Sequence, residues 1–77
     1  MPAPVVTLVD GNDWEGLFVD GQVIEQTHNI RAWHVLKALA KCGLIEFVEL
    51  HANEANLETS GSFADTLDQN RKEGIIE

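Results

Sequence analysis

The chain has 77 residues, with 13 Asp and Glu against five Lys and Arg, and a formal net charge of −8 at neutral pH. This acidic composition argues against direct nucleic-acid binding, because phosphate recognition needs cations in number. The one cysteine, Cys42, excludes an internal disulfide, and no apolar run reaches the roughly 20 residues that span a membrane. The length predicts a single domain over residues 1–77, whose small core leaves oligomerisation as a route to extra stability.

The first four residues lack the charged region that opens a signal peptide, so we expect no export signal. A single free cysteine is typical of proteins in a reducing compartment. These features predict a cytoplasmic protein in which residues 1–4 form a flexible arm.

β-Branched and apolar runs predict three strands near residues 5–9, 14–19 and 22–28. Asp20 and Gly21 lie between the second and third strands, and this pair favours the two-residue type I′ turn of a β-hairpin. The three strands are therefore predicted to form an antiparallel meander.

A helix is predicted over residues 30–42, with Asn29 as its N-cap and Gly43 just after its end. The helical period places an apolar set on one side, namely Ala32, Trp33, Val35, Leu36, Leu39, Ala40 and Cys42. The other side carries Arg31, His34, Lys37, Ala38 and Lys41. The apolar side is expected to pack on the sheet and to bury Cys42.

The run from Leu44 to Leu50 predicts a fourth strand, because it is short, apolar and partly β-branched. Residues 52–62 are polar and predict a loop, and Ser62 is the predicted cap of a last helix over 63–73. The apolar stripe of that helix is thin, which predicts loose attachment. The predicted fold is a small α+β domain with a βββαβ core over residues 5–51, followed by the polar loop and C-terminal helix over 52–77.

Both faces of the predicted sheet carry apolar side chains. The two-residue turn sets Leu17 opposite Ile24, and alternation along the strands then divides the residues into two sets. One set contains Glu15, Leu17, Val19, Ile24, Gln26 and His28, and the other contains Trp14, Gly16, Phe18, Val23, Glu25 and Thr27. One helix covers one face only, so the second face must meet the C-terminal helix, another subunit or a target protein.

The second face supplies the predicted binding site. Trp14 and Phe18 lie there, and tryptophan is enriched at the energetic centres of protein interfaces. Carboxylates are expected around them at Asp10, Asp13, Glu15, Asp20 and Glu25. An aromatic centre ringed by acids suits a protein partner with a basic surface. The leading hypothesis is therefore a non-enzymatic acidic protein-binding module, with no cofactor and no direct contact with nucleic acid or membrane.

One form of this hypothesis is an inhibitor that occupies the basic groove of a nucleic-acid-handling protein and presents carboxylates where phosphates would lie. A first alternative is a self-associating structural protein, such as a homodimer in which the basic helix meets the acidic surface of a second copy or two sheets pack together. A second alternative is a small metal-binding protein in which His28 and His51 are joined by Glu49 or Asp13. The sequence has no motif for a nucleophile elbow, a phosphate loop or a paired-cysteine site, so no enzymatic activity is expected.

Overall fold

The computed structural model describes residues 3–11, 13–30 and 33–76. Within these residues the strands are β1 (Val5–Asp10), β2 (Glu15–Val19), β3 (Gln22–Thr27) and β4 (Glu46–His51). The helices are α1 (Trp33–Lys41), α2 (Glu54–Ser60) and α3 (Leu67–Lys72). The predicted α+β class and the βββαβ order over residues 5–51 are confirmed.

The strands form one mixed sheet in the order β3-β2-β1-β4. β1, β2 and β3 pair antiparallel through short connections, which confirms the predicted meander. The chain then crosses through α1 and enters β4 in the direction of β3, so β4 lies parallel to β1 at the far edge. The Pro4 carbonyl extends this parallel ladder by accepting a hydrogen bond from the Glu46 N–H at 2.9 Å. Met1 and Pro2 of the predicted flexible arm lie outside the described residues.

The turn between β2 and β3 has the predicted geometry. Asp20 has a φ of 49° and Gly21 a φ of 85°. Positive φ at both central residues is the signature of the type I′ turn, whose twist matches that of the flanking strands. Asp20 is the residue that bears the steric cost, since glycine adopts this region freely.

A bulge in this hairpin changes the predicted division of faces. The pairing shifts between Leu17 and Phe18, so that Leu17 lies opposite Glu25 instead of Ile24. The extra residue, Ile24, is left 62% exposed. Later residues of β3 therefore lie on the face opposite to the predicted one. Gln26 lies on the same face as Phe18, and Glu25 lies on the opposite face.

Both faces of the sheet are covered within the described part of the chain. The first core cluster lies between the sheet and the C-terminal segment and contains Val9, Phe18, Leu57, Phe63, Ile75 and Ile76. The second lies on the α1 side and contains Val6, Leu8, Leu17 and Ile30. The face that carries Phe18 is therefore covered by the chain's own C-terminal segment.

The predicted polar loop over residues 52–62 contains a helix. α2 follows the N-cap Asn53, whose side chain accepts a hydrogen bond from the Asn56 N–H at 3.1 Å. It ends at Gly61, which adopts the left-handed conformation that favours glycine. The prediction missed α2 because Leu57 is its one buried side chain, so no apolar stripe marks it.

The predicted helix over residues 63–73 is shorter than expected, and the segment is not loosely attached. α3 follows the N-cap Thr66 instead of Ser62. The Asp65 carbonyl, just before α3, accepts a hydrogen bond from the Val23 N–H at 2.7 Å. The apolar anchors of the segment lie outside the helix, at Phe63, Ile75 and Ile76. These anchors follow no helical period, so the prediction from the apolar stripe underestimated how firmly the segment packs on the sheet.

α1 ends as predicted, with Gly43 at a φ of 76°. The Gly43 N–H donates to the Ala40 carbonyl at 3.0 Å, and the Leu44 N–H donates to the Leu39 carbonyl at 3.1 Å. These two bonds are those of a Schellman motif, which closes a helix with a left-handed residue. The predicted C-terminal boundary is therefore confirmed.

The start of α1 differs from the prediction. The helix begins at Trp33, and Ile30 is instead a buried member of the second core cluster. The Ile30 N–H donates to Glu15 Oε1 at 2.8 Å. Arg31 and Ala32, which the prediction placed in the helix, lie outside the described residues.

The apolar side of α1 packs on the sheet less deeply than predicted: Trp33 and Leu36 contact the second core cluster, but none of the described side chains of the helix is buried. Val35 was expected in the core but is 60% exposed, and Cys42 is exposed as well. Lys37 is exposed as expected, and its Nζ lies 3.1 Å from Oε1 of Glu49 on β4. A helix of nine residues that packs against an edge strand meets the sheet along a narrow stripe only. The predicted burial of Val35 and Cys42 is therefore wrong.

Candidate functional site

The centre of the predicted binding site is internal. Phe18 has no exposed surface, and its ring packs edge-on against Phe63 with the centroids 5.9 Å apart. Phe18 is therefore a core residue that a partner cannot reach in this fold. Trp14 is half-buried and packs at the margin of the same core cluster.

The predicted carboxylates are distributed over the molecule and do not ring one centre. Those on the α1 side of the sheet are Asp10, Glu15 and Glu25. Asp20 lies in the β2–β3 turn, where its Oδ1 accepts a hydrogen bond from the Val5 N–H at 3.0 Å. Of the predicted acids, Asp13 is the one that the structure places beside Trp14.

A pocket of about 240 Å³ opens where the β1–β2 loop, the end of β3 and α2 meet. We call it the aromatic–carboxylate pocket, and it is lined by Gly11, Asp13, Trp14, His28, Glu54, Leu57, Glu58 and Gly61. Its walls combine two aromatic rings, one apolar side chain and three carboxylates. This composition differs from the predicted site in all but Trp14 and Asp13.

α2 supplies most of the acidic wall. Glu54 and Glu58 are four residues apart, so they lie on the same side of the helix. Leu57 anchors the helix in the first core cluster, close to the loop glycine Gly11. A Cβ atom on Gly11 would overlap Leu57 Cδ2 and would lie 2.7 Å from the Trp14 carbonyl oxygen. The absence of a side chain at Gly11 therefore lets α2 approach the β1–β2 loop.

The Trp14 ring is held in a fixed orientation. Its indole Nε1–H donates to Oε1 of Gln26 at 2.9 Å. The His28 ring stands perpendicular to it, with the centroids 5.1 Å apart. His28 Nδ1 lies 3.0 Å from the Asp13 carbonyl oxygen, which can only accept, so Nδ1 carries a proton. Hydrogen bonds made by the Trp14 and His28 rings therefore hold the aromatic wall in one orientation.

The acidic side chains of this pocket have no cationic partner in the described part of the chain. Asp13, Glu54 and Glu58 are all exposed. The Lys and Arg ion pairs found among the described residues join Lys37 to Glu49 and Arg71 to Asp68, and His51 Nδ1 lies 4.0 Å from Asp10 Oδ2. Three carboxylates without a Lys or Arg partner among the described residues attract a cation through their charge, and the neighbouring Trp14 ring offers that cation an aromatic face.

A second cleft, of about 210 Å³, lies on the α1 side and is lined by Leu8, Asp10, Glu15, Trp33, Lys37, Glu49, Leu50 and His51. One of its three acids, Glu49, is paired with a lysine of the chain itself. Lys37 Nζ pairs with Glu49 and also lies 4.6 Å from the centre of the Trp33 ring. A lysine of α1 therefore already occupies the aromatic and acidic side of this cleft.

The metal-binding alternative does not fit the topology. His28 follows β3 and His51 ends β4, and these strands are the two opposite edges of the sheet. Three strand spacings separate them, which is about 14 Å. Among residues 3–11, 13–30 and 33–76, no three His, Cys, Asp or Glu side chains are grouped to hold a metal ion.

Sequence reasoning missed the acidic wall formed by Glu54 and Glu58, because residues 52–62 were predicted to be a loop. The sequence does carry a local signal for a helix in this region. Asn53 is a favoured N-cap, and Gly61 is a favoured residue just after a helix. Reading these two residues together predicts a short helix, and the helix brings the two glutamates to one side.

No helix in the described residues is long and apolar enough to cross a membrane. A comparison with known protein families, with curated protein sequences and with solved structures finds no match for this chain.

Proposed function

We propose that this chain is a non-enzymatic protein-binding module whose aromatic–carboxylate pocket takes a Lys or Arg side chain of a basic partner. The observation that carries the proposal is the set of three carboxylates with no cationic partner in the described residues, beside the fixed ring of Trp14. The net charge of −8 would attract a basic protein and speed its encounter with the pocket. We also propose a cytoplasmic location, on composition alone.

Arginine is the preferred occupant of this pocket. Its planar guanidinium stacks on an aromatic face and donates hydrogen bonds to two carboxylates at once, whereas lysine carries a compact point charge. The Trp14 ring and the acids Glu54 and Glu58 supply both kinds of contact. We therefore expect an Arg-containing peptide to bind more tightly than the matched Lys peptide.

A narrower form of the proposal is an inhibitor that blocks the basic groove of a nucleic-acid-handling protein. Its support is the acidic charge of the chain, which lets carboxylates stand in for phosphates. In this form, affinity for the target falls steeply between low and moderate salt, and a DNA duplex competes for the same groove. A flat salt response removes the phosphate-mimic idea and leaves the pocket proposal standing.

The test is a calorimetric titration of the full chain with a capped ten-residue Arg-Gly repeat peptide. The pocket variant carries Glu54→Gln and Glu58→Gln, and the control carries Glu25→Gln and Glu73→Gln. Both variants lose two negative charges, and the control acids are exposed and lie outside the pocket. We expect the pocket variant to bind about fivefold or more weakly than the control, because close charge pairs contribute more than general attraction. Equal weakening in the two variants, or no binding by the native chain, contradicts the proposal.

Self-association is a second candidate function, and the surface of α1 favours it. None of the described side chains of α1 is buried, and Val35 and the nearby Leu44 are 60% and 61% exposed. Val35 lies in α1 and Leu44 in the turn that follows it, and a contiguous exposed apolar patch is typical of an interaction site. Sedimentation at two salt concentrations separates the cases. A salt-sensitive dimer indicates contact between the basic helix and the acidic surface, a salt-insensitive one indicates apolar packing, and a monomer at high concentration contradicts both.

A further inference from the structure

The sheet has two edge strands, β3 and β4. At the β3 edge, the Val23 N–H donates to the Asp65 carbonyl at 2.7 Å, and the Leu67 N–H donates to the Gly21 carbonyl at 2.8 Å. The C-terminal segment therefore occupies part of that edge. β4 is the other edge strand, and within residues 3–11, 13–30 and 33–76 no strand pairs with its outer side.

The backbone of β4 alternates between its inner and outer sides. The Glu46 N–H donates to the Pro4 carbonyl at 2.9 Å, and the Ala52 N–H donates to the Asp10 carbonyl at 2.8 Å. The even-numbered residues therefore face β1, because both backbone groups of a residue in a parallel strand point to the same neighbour. The N–H and C=O groups of the odd-numbered residues point outward, at Phe47, Glu49 and His51.

The outer side already pairs with an extended stretch of the C-terminal segment at the end of β4. The next odd-numbered residue, Asn53, donates its N–H to the Ile75 carbonyl at 2.6 Å. Ala52 and Ile76 form an antiparallel bridge at the same place. The outer edge of β4 can therefore form backbone hydrogen bonds with an extended segment. Within the described residues, the C-terminal segment of the chain occupies only the end of this edge.

The side chains along this edge indicate the chemistry of an incoming strand. Glu46 is exposed, and Val48, two residues further on the same face, is 39% exposed. On the other face, Glu49 lies beside Lys37 of α1. A strand with Lys or Arg beside Glu46 and a β-branched apolar residue beside Val48 complements this pattern.

We propose that the outer edge of β4 is a docking edge, which takes an extended basic segment of another protein as an added strand. Backbone hydrogen bonds to Phe47 and Glu49 give the affinity, and the alternate side chains give the selectivity, while the bridge between Ala52 and Ile76 already occupies the end of the edge at His51. A second copy of this chain is a poorer occupant, since pairing two β4 strands brings acids of both copies to one edge. The proposal rests on the proposed function for the basic character of the partner, but it uses a different part of the surface.

The test uses a capped peptide with the sequence Thr-Lys-Thr-Val-Thr-Lys-Thr, which reads the same in both directions and so fits either strand orientation. Amide hydrogen exchange of the full chain is followed by NMR without and with the peptide. In the free protein, the amides of Phe47 and Glu49 should exchange faster than those of Val48 and Leu50. Saturation with peptide should slow exchange of the Phe47 and Glu49 amides at least tenfold and leave the even-numbered amides unchanged.

Two N-methylated peptides serve as controls, each blocking one of the two alternate sets of backbone N–H groups. Edge pairing uses one set, so one methylated peptide should lose binding and the other should keep it. Equal binding by both peptides overturns the proposal, as does binding without slower exchange at the odd-numbered amides. If these amides already exchange slowly in a concentrated solution of the free protein, and exchange faster on dilution, a second copy of the chain occupies the edge and the proposal is wrong.

Two variants separate this edge from the aromatic–carboxylate pocket. Glu46→Gln should weaken peptide binding by about threefold, the effect of one exposed charge pair. The pocket variant with Glu54→Gln and Glu58→Gln should keep the same pattern of slowed amides. If that pattern persists while the Arg-Gly peptide shows no preference for the pocket, the docking edge stands and the pocket proposal fails.

Discussion

Gln26 and Phe63 are joined by two hydrogen bonds, as two neighbouring strands would be. The Phe63 N–H donates to Gln26 Oε1 at 2.8 Å, and Gln26 Nε2–H donates to the Phe63 carbonyl at 3.3 Å. The same Oε1 accepts the indole N–H of Trp14 at 2.9 Å. One side-chain amide therefore ties the sheet to the C-terminal segment and fixes the aromatic wall of the pocket.

Replacing Gln26 with Ala should lower the free energy of unfolding by about 2 kcal/mol, because the Phe63 and Trp14 N–H groups lose their acceptor in a partly buried place. Urea denaturation measures the change. The matched control is Glu25→Ala, an exposed neighbour on the other face of β3, which should stay within about 0.5 kcal/mol of the native chain. Equal losses in the two variants would show that Gln26 has no special role in holding the segment.

The bulge beside Phe18 explains why Gln26 was predicted on the wrong face. Turn chemistry predicted the type I′ turn at Asp20 and Gly21, since only a few residue pairs accept positive φ at two successive positions. No comparable local rule predicts a bulge at Ile24. One extra residue moves every later residue of the strand to the opposite face of the sheet. The prediction lacked this residue, so it placed Glu25 on the face of Trp14 and Gln26 on the other face, the reverse of the observed arrangement.

The prediction that the C-terminal segment is loosely attached was wrong for a different reason. Strands and α1 carry repeating apolar patterns that local sequence reveals, whereas Leu57, Phe63 and Ile75 reach one core from separate short elements. Tertiary packing alone brings them together. The same limit applies to the pocket, because Trp14 and Asp13 are adjacent in sequence but Glu58 comes from a helix that the apolar pattern does not mark.

The buried side chain of Asn70 should be the most sensitive polar position in the chain. Its Oδ1 accepts the Ala64 N–H at 2.8 Å, and its Nδ2 donates to the carbonyls of Ala64 and Thr66 at 3.1 and 2.8 Å. Asn70→Ala should cost about 2–3 kcal/mol of stability, since the Ala64 N–H and carbonyl lose the Asn70 side chain and the Thr66 carbonyl keeps only the backbone N–H of residue 70. Asn70→Asp should cost at least as much, because it turns an oxygen towards two carbonyl oxygens.

The control for this position is Gln69→Ala, which changes an exposed side chain of the same helix. It should change the free energy of unfolding by no more than about 0.5 kcal/mol. If Asn70→Asp were as stable as the native chain, the hydrogen bonds from Nδ2 to the two carbonyls would not contribute to folding. Urea denaturation of the three variants under one set of conditions provides the comparison.

Gly16 allows the sheet and Phe63 to pack closely. A Cβ atom on Gly16 would lie 2.7 Å from Phe63 Cδ2 and 3.0 Å from Phe18 Cε1. Gly16→Ala should therefore destabilise the chain by about 1–3 kcal/mol through overpacking. Phe63→Leu shortens the opposing side chain and should relieve part of this cost, so the double variant should be less destabilised than the sum of the two single variants. Additive effects would mean that Phe63 does not limit the space at Gly16.

The thiol of Cys42 reports which side of α1 meets the sheet. The apolar period predicted a buried thiol, whereas the structure places an exposed Cys42 in the turn that follows the helix. An aromatic disulfide reagent should therefore modify one thiol per native chain without denaturant, at a rate within about tenfold of that in urea, because access limits the reaction of a buried thiol. Cys42→Ser should also leave the free energy of unfolding within about 0.5 kcal/mol of the native value, as at other exposed positions. Reaction only after unfolding, together with a clear loss of stability in the serine variant, would mean that α1 is turned about its axis from the orientation that pairs Lys37 with Glu49.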